Sequence, residues 1–335
     1  MDETKKRKGE HIEIVLNKMV QFRTKTTGLE SVQFEDVDLV YDALPDFDKG
    51  SVSLETSFLG KRFNAPLMVS GMTGGIPEAG KINTDIAQAC KMLGLGMGVG
   101  SQRAMIESKG LTSTYDVRTV APDIFLAGNI GIAQVKTLSP QKIKDSVDAI
   151  GADALAVHLN AAQEAVQPEG ESDFSQAIDH LTALCDYLSI PVYVKEVGNG
   201  IISDVAMKLS DTGIKAIDVQ GAGGTTWIGV ESFRGNQELG EAFWDVGVPT
   251  AVSILECRKS FKGPIVASGG MRTGLHIVKA LALGADLAAM AYPVLKAQEQ
   301  GGSEGVKDYL QSVIDQIKVG MFLVGAKDLS ELKRK

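Results

Sequence analysis

The chain has 335 residues and a formal net charge of −8, with 44% apolar and 23% charged residues. That balance is ordinary for a soluble globular protein; the acidic total argues against general nucleic-acid binding, and no run approaches the roughly 18 uninterrupted apolar residues of a membrane-crossing helix. The three cysteines, Cys90, Cys185 and Cys257, are far apart and form no CxxC pair, so neither a disulfide framework nor a zinc site is indicated.

The start, Met-Asp-Glu-Thr-Lys-Lys-Arg-Lys, has no apolar segment behind it and does not fit a secretory signal. A cytoplasmic location is expected. Residues 1–26 hold seven basic side chains (Lys5, Lys6, Arg7, Lys8, Lys18, Arg23, Lys25) against four acids (Asp2, Glu3, Glu10, Glu13), a net of +3 that leaves −11 for the remainder. A basic arm on an acidic body suits a small anionic ligand, and a solvated tail fits the charge alone equally well.

Residues 1–63 read as an N-terminal extension, with a short helix near 11–21 and a hairpin-like stretch near 50–64. From residue 64 to the end, apolar runs alternate with amphipathic stretches. The runs cover 65–70, 94–99, 124–127, 154–158, 191–195, 216–220, 264–268 and 287–291. Each is nearly all apolar, as expected of parallel strands covered on both faces. Helical patterns lie near 79–93, 113–121, 140–150, 174–188, 203–213, 248–261, 273–283 and 303–322. Ser139-Pro140 is an N-cap followed by proline at the first helical position. Gly151, Gly213 and Gly284 stand just past helix ends, where a left-handed residue is wanted.

Eight strand–helix repeats predict a (β/α)8 TIM barrel over 64–335, with the N-terminal extension and a long loop after the sixth strand, 221–248. A doubly wound open sheet is the rival. It lacks an early G-x-G-x-x-G, and polar residues cluster after almost every strand, as they do where eight strand ends meet at one mouth.

Those strand ends carry the candidate site. Met72, Thr73 and Gly74 follow the first strand, Ser101, Gln102 and Arg103 the second, and Asn129 ends the third. His158, Asn160, Gln163 and Glu164 follow the fourth, and Lys195 ends the fifth. Thr225 and Trp227 follow the sixth, Gly270, Met271 and Arg272 the seventh, and Ala291 and Tyr292 the eighth. Glycine turns running into helices expose N–H groups to an anion, and barrels often hold a phosphate after strands 7 and 8. Amides such as Asn129, Gln102 and Gln220 suit the edge of a flat heterocycle. Lys195 is costly to bury unpaired and suits a flavin edge that becomes anionic on reduction, a salt bridge being the plainer reading. Together they suggest FMN. Glu164 is a single carboxylate, enough for a Mg²⁺ that also binds substrate phosphates. Arg7, Lys8 and His11 are placed to close over a diphosphate.

These residues resemble the type 2 isopentenyl diphosphate isomerases. The resemblance runs through Arg7-Lys8, Met72-Thr73-Gly74-Gly75, Ser101-Gln102-Arg103, His158-Leu159-Asn160 with Gln163-Glu164, Gly223-Gly224-Thr225-Thr226-Trp227 and Ser268-Gly269-Gly270-Met271-Arg272, in order over essentially the whole chain. It implies reduced FMN, Mg²⁺, NADPH as the flavin's reductant, and a redox-neutral interconversion of isopentenyl and dimethylallyl diphosphates. Met72, Thr73, Gly74, Ser101, Asn129, Lys195, Thr225, Gly270, Met271, Arg272, Ala291 and Tyr292 would contact FMN. Arg7, Lys8, Ser101, Gln102, Arg103, His158, Asn160 and Gln163 would contact substrate, and Glu164 would hold Mg²⁺. Tyr292 departs from the smaller or aliphatic residue expected there. Reduced FMN helped by Lys195 is the expected acid–base catalyst, with Gln163 and His158 orienting substrate and Trp227 walling the allyl group. A homotetramer or homo-octamer is expected.

Two other classes share parts of this pattern. An FMN-dependent 2-hydroxy-acid oxidase needs a base histidine beside the arginine after strand 7, but His276 lies four residues beyond Arg272. An inosinate-type dehydrogenase needs a cysteine after strand 6, and none lies between Cys185 and Cys257. A non-catalytic flavin or prenyl-phosphate binder would be expected to lose Gln163 or Glu164; both are present.

Overall fold

The computed structural model describes residues 3–23 and 33–335, the side chains of Glu3, Thr4 and Lys5 excepted. Asp2, Lys25 and the side chain of Lys5, counted above in the basic arm, lie outside the described residues.

An antiparallel hairpin, β1 (Thr56–Phe58) with β2 (Lys61–Phe63), precedes the barrel. Eight parallel strands then close on themselves: β3 (Leu67–Val69), β4 (Gly96–Gly98), β5 (Leu126–Gly131), β6 (Ala154–His158), β7 (Val192–Lys195), β8 (Ala216–Asp218), β9 (Ile265–Ala267) and β10 (Leu287–Met290). β10 pairs with both β9 and β3. The (β/α)8 barrel is therefore the fold, and all eight apolar runs supply its strands. The open doubly wound sheet is excluded by this closure.

Side chains alternate along each strand, so one set faces inward and the other faces the surrounding helices. The inward set starts apolar. Met68, Phe125, Ala127, Ala154, Ala156, Tyr193, Ala216, Val266, Leu287 and Ala289 form one buried cluster with Phe58 and Phe63 of the hairpin. Phe58 stands edge-on to Phe125 and Tyr193, at 5.5 and 6.0 Å between ring centres. The hairpin thus plugs the N-terminal end of the barrel. The next inward positions toward the C-terminal end are Ser70, Asn129, His158, Lys195, Asp218 and Ser268. Apolar packing gives way to a polar layer within two residues along six of the eight strands.

Three expectations shift. The first helix spans Glu3–Asn17 rather than 11–21. It stops because the next residues bond to the long loop instead: Gln21 bridges Thr225, Phe22 N–H donates to Gly224 O at 2.9 Å, and Val20 O accepts from Thr226 N–H at 2.8 Å. No α-helix forms over 113–121. A 3-10 turn ends at Thr114, whose carbonyl accepts from Asn83 Nδ2 at 2.8 Å, and the Arg118 N–H that a helix would bond to it donates to Asp116 Oδ1 at 3.0 Å instead. Such side-chain bonds compete with helix formation. The last predicted helix starts earlier, at Tyr292, and runs to Leu323 across a break at Gly301 and Gly302. The Ser139 cap forms, its side chain accepting from Lys142 N–H, and Gly151, Gly213 and Gly284 all take positive φ.

Phe58→Ala removes the plug's central ring. It should lower stability by about 3 kcal/mol, read as a fall in the urea midpoint, while leaving ligand binding at the opposite mouth intact.

Candidate active site

The C-terminal ends of the strands surround a cavity of about 250 Å³, roofed by the first helix and by the loop after β8. Its floor is the polar layer. The ladder pairs Gly131 with His158, His158 with Lys195 and Lys195 with Asp218, so these residues stand side by side on neighbouring strands. His158 Nδ1 lies 2.8 Å from Asn129 Oδ1, and Asn129 Nδ2 donates to Val99 O at 3.0 Å. Because the Asn129 amide spends its N–H₂ on Val99, its oxygen accepts, which makes Nδ1 the donor and Nε2 an acceptor on a neutral ring. Burial, then the charges of Lys195 and Lys8, pull His158 down to about 3.

Lys195 Nζ donates to Glu196 O at 3.1 Å. With the Gln220 amide oriented to satisfy both neighbours, its oxygen accepts from Lys195 Nζ at 3.3 Å and its nitrogen donates to Glu196 O at 3.0 Å. Burial lowers the Lys195 ammonium, opposed by Asp218 and Glu196. Burial raises Asp218, whose Oδ1 accepts from Ser268 Oγ at 2.5 Å. Burial also pushes Glu196 up to about 7, against the N–H groups of Asn199, Gly198 and Val197 that converge on Oε2. The floor is therefore one coupled layer of amide, imidazole, ammonium and carboxylate.

One side of the cavity is backbone. Gly269 and Gly270 take φ of +98° and +72°. A Cβ on Gly269 would fall 2.0 Å from Gly221 O, and one on Gly270 2.6 Å from Gly223 O, so only glycine fits at both. They lie beside Ala291 and Tyr292, the N-terminus of the helix after β10. Arg272 donates to Gly223 O, Gly270 O and Gln21 Oε1, which ties this loop to the N-terminal segment. Thr225 accepts from Gln21 at 3.2 Å. Gly74 allows Tyr115 to pack closely; a Cβ there would sit 2.0 Å from its ring. Thr73 bonds Asn83, and Met72 and Met271 line the cavity.

The opposite side is charged. Lys8 is half-buried, its Nζ donating to Ser101 O at 2.9 Å and Tyr115 Oη at 3.0 Å. Burial, then Arg7, bring it down to about 7, Glu107 opposing. The basic arm is thus a helix laid across the mouth, not a solvated tail. Gln163 Nε2 donates to Glu231 Oε1 at 2.9 Å. Glu231 is fully buried, with His11 Nε2 at 2.9 Å and Arg234 Nη1 at 2.6 Å. Trp227 meets the His11 ring edge-on at 5.1 Å. Asn160 Nδ2 donates to Glu164 Oε1 at 2.8 Å, and Glu171 N–H donates to Glu164 Oε2 at 2.7 Å.

Every candidate residue except Gln102 lines this cavity. Gln102 is fully buried outside it: Nε2 donates to Ser146 O at 2.7 Å and Oε1 accepts from Asn129 N–H at 3.0 Å. It clamps β5 to the outer helices. The sequence reading missed Glu231, Arg234, Asp218 and Glu196 as supports of the floor and roof. Glu231 had one usable signal: it sits one turn after Trp227, alone in the otherwise apolar Trp-Ile-Gly-Val stretch.

Among the described residues, and apart from His11 Nε2, which faces the Glu231 carboxylate at 2.9 Å, two buried polar atoms of cavity-lining residues have no hydrogen-bond partner, Ser70 Oγ and Asn160 Oδ1. Unpaired buried polar groups are costly, so the site is built for a polar ligand. A flat heterocycle with hydrogen-bonding edges fits the floor, and a phosphate fits the Gly269–Gly270 turn. Among the described residues no three His, Cys, Asp or Glu side chains gather as a metal cage. Glu164 fits a cation only together with ligand oxygens from a substrate.

The rival chemistries lack their groups here. His276 lies outside the cavity, stacked on Phe34 at 5.5 Å. No cysteine lines the cavity, and burial pushes Cys90, Cys185 and Cys257 to about 12, 11 and 12.

The FMN-dependent dehydrogenase family matches residues 126–335. Among curated proteins, the chain is 44% identical to the isopentenyl-diphosphate delta-isomerase of Pyrococcus furiosus, over 98% of this chain and 85% of that one. It is 44% identical to the protein of that name from Thermococcus onnurineus, over 98% and 89%, and 43% identical to that from Methanococcoides burtonii, over 98% and 91%. Among solved structures, a mandelate oxidase aligns with TM-score 0.68 at 17% identity over 97% of this chain and 94% of that one. A lactate oxidase of Pediococcus acidilactici aligns with TM-score 0.67 at 18% identity, over 90% and 83%. Those two likenesses concern the barrel alone.

His158 provides a test of the floor. Its proton affinity in the fold is below that in the unfolded chain, so the unfolded chain binds more protons between about pH 6.5 and about 3. Its contribution to stability is therefore lost as pH falls through that window. By NMR the His158 ring should stay neutral from pH 8 to 5; a midpoint near 6.5 would refute the buried neutral ring.

Proposed function

The chain belongs to the isopentenyl-diphosphate delta-isomerase family, and from that premise we propose how its cavity interconverts isopentenyl and dimethylallyl diphosphates. The observation that carries the reading is the floor: Asn129, His158, Lys195 and Gln220 beside a glycine turn, with Ser70 Oγ and Asn160 Oδ1 unpartnered.

The reaction adds a proton to one alkene carbon and removes one two carbons away. Bound in reduced form, FMN supplies ring nitrogens that carry protons and an electron-rich face beside positive charge. Gly270, Met271, Arg272, Ala291 and Tyr292 would hold its phosphate, with Tyr292 contributing backbone at a helix start. Met72, Thr73, Gly74, Ser101, Asn129, Lys195 and Thr225 would surround the rest, Lys195 presenting its ammonium at the ring edge.

The side chains are suited to orienting. His158, neutral, offers an acceptor nitrogen and is a weak base. Gln163 carries no transferable proton of useful acidity, and Glu231 fixes its amide. Trp227 walls the hydrocarbon end. Arg7, Lys8, Ser101, Arg103 and Asn160 would take the diphosphate, and Glu164 would share Mg²⁺ with it. Gln102 would act through Asn129 rather than by contact. Residues 1–63 would act as an extension whose basic helix closes the mouth of the barrel domain, 64–335.

The family resemblance supports NADPH as the flavin's reductant, a homotetramer or homo-octamer and a cytoplasmic location. No helix among the described residues is long and apolar enough to cross a membrane.

The test is an anaerobic assay in D2O with FMN, Mg²⁺, NADPH and isopentenyl diphosphate, followed by NMR. Deuterated dimethylallyl diphosphate should form without NADPH loss beyond flavin reduction. Stoichiometric NADPH consumption without that product would instead mark an oxidoreductase. Glu164→Gln should cut turnover by roughly 10²-fold through misplaced diphosphate.

A further inference from the structure

Two of the cations proposed to take the diphosphate, Arg7 and Arg103, already face acids from one short segment, and Arg103 also donates to Glu107 on its own helix at 2.8 Å. Residues 167–173 follow the helix Ala161–Val166, which carries Gln163 and Glu164. Gly170 turns the chain back: its N–H donates to Gln167 O at 3.0 Å, and a Cβ there would fall 1.9 Å from Glu164 O. The Glu171 N–H then reaches Glu164 Oε2 at 2.7 Å. Its carboxylate is held from two sides, by Arg103 Nη1 at 3.0 Å on Oε1 and by Gln134 Nε2 at 2.7 Å on Oε2. Glu169 Oε1 accepts from Arg234 at 2.9 Å and lies 3.6 Å from Arg7 Nη1. Arg7, Arg103, Gln134 and Glu164 all line the cavity.

We propose that Glu171, with Glu169 beside it, determines which anion the site admits, by holding Arg103 and Arg7 as tethered internal counter-anions until a magnesium-loaded diphosphate displaces them. The proposal rests on the reading that Arg103 and Arg7 serve the diphosphate. A tethered carboxylate competes at high effective concentration. A lone phosphate that engages a single arginine gains little against it. A diphosphate engages Arg7, Lys8 and Arg103 together and prevails. The cation assists, because Glu164 Oε2 is also the acceptor for Glu171 N–H. Positive charge on that oxygen opposes the N–H dipole and loosens the anchor of the acidic segment.

Calorimetric titration of inorganic diphosphate into FMN-loaded protein, with and without Mg²⁺, tests this in wild type, Glu171→Gln, Glu171→Ala and Arg103→Gln. Exposed ion pairs of this kind contribute up to about 1 kcal/mol, so both Glu171 variants should bind Mg²⁺-free diphosphate roughly two- to fivefold more tightly. Their gain from Mg²⁺ should shrink, and Arg103→Gln should bind more weakly. Unchanged or weaker binding by the folded Glu171 variants, with Arg103→Gln weakened, overturns the inference and leaves the diphosphate reading standing. Weakening of the Glu171 variants only with Mg²⁺ makes Glu171 a cation ligand and also overturns it. Wild-type affinity in Arg103→Gln removes the arginine from the anion site and takes both readings down.

Discussion

A β-strand sends alternate side chains to opposite faces, and in a closed eight-stranded barrel the inner face opens only at the ends. Everything placed on that face must pack or find a partner. At the N-terminal end Phe58, Phe63, Phe125 and Tyr193 fill the space and exclude water. Two residues further along, the same inward positions are Asn129, Lys195 and Asp218, with His158 paired in register to Lys195. The aromatic plug and the polar floor are therefore consequences of one alternation. The plug makes the floor a dead end, so ligands enter and leave only at the mouth.

A polar layer on an apolar core is electrostatically demanding. Burial works against charge on Lys195, Asp218 and Glu196, while their proximity favours it. Main-chain groups supply much of the compensation: three N–H groups converge on Glu196, and the Glu196 carbonyl receives Lys195. Above this floor, Lys8 binds the Ser101 carbonyl and Arg234 ties Glu231 to Glu10 of the first helix. The roof is held by charged contacts where the floor is held by the sheet, which fits a mouth that must open and a base that must not.

Much of this was readable in the chain. Strands buried on both faces give nearly continuous apolar runs, so all eight were visible, and barrel closure then gathered strand-end residues separated by more than two hundred positions. Glycines at 269 and 270 and the Ser139-Pro140 start act through local backbone geometry, which sequence carries directly. The misses share a cause: they depend on tertiary partners. The first helix ends at Asn17 because residues 20–22 pair with a loop two hundred residues away. Residues 113–121 show helical spacing, yet Asn83 of a distant helix captures the Thr114 carbonyl that a helix would give to the Arg118 N–H. Gln102 sits in a polar strand-end cluster but turns to Ser146, and Glu231 is placed by a loop whose path no periodicity announces.

The central claim is that the barrel's inward alternation sets a cation, Lys195, under the edge of a flat cofactor. The measurement that tests it most directly is the reduction midpoint potential of bound FMN in wild-type protein and in Lys195→Gln, by anaerobic spectroelectrochemistry. Removing the cation should destabilise the anionic reduced ring and lower the potential. An equal or higher potential in the variant would contradict the account.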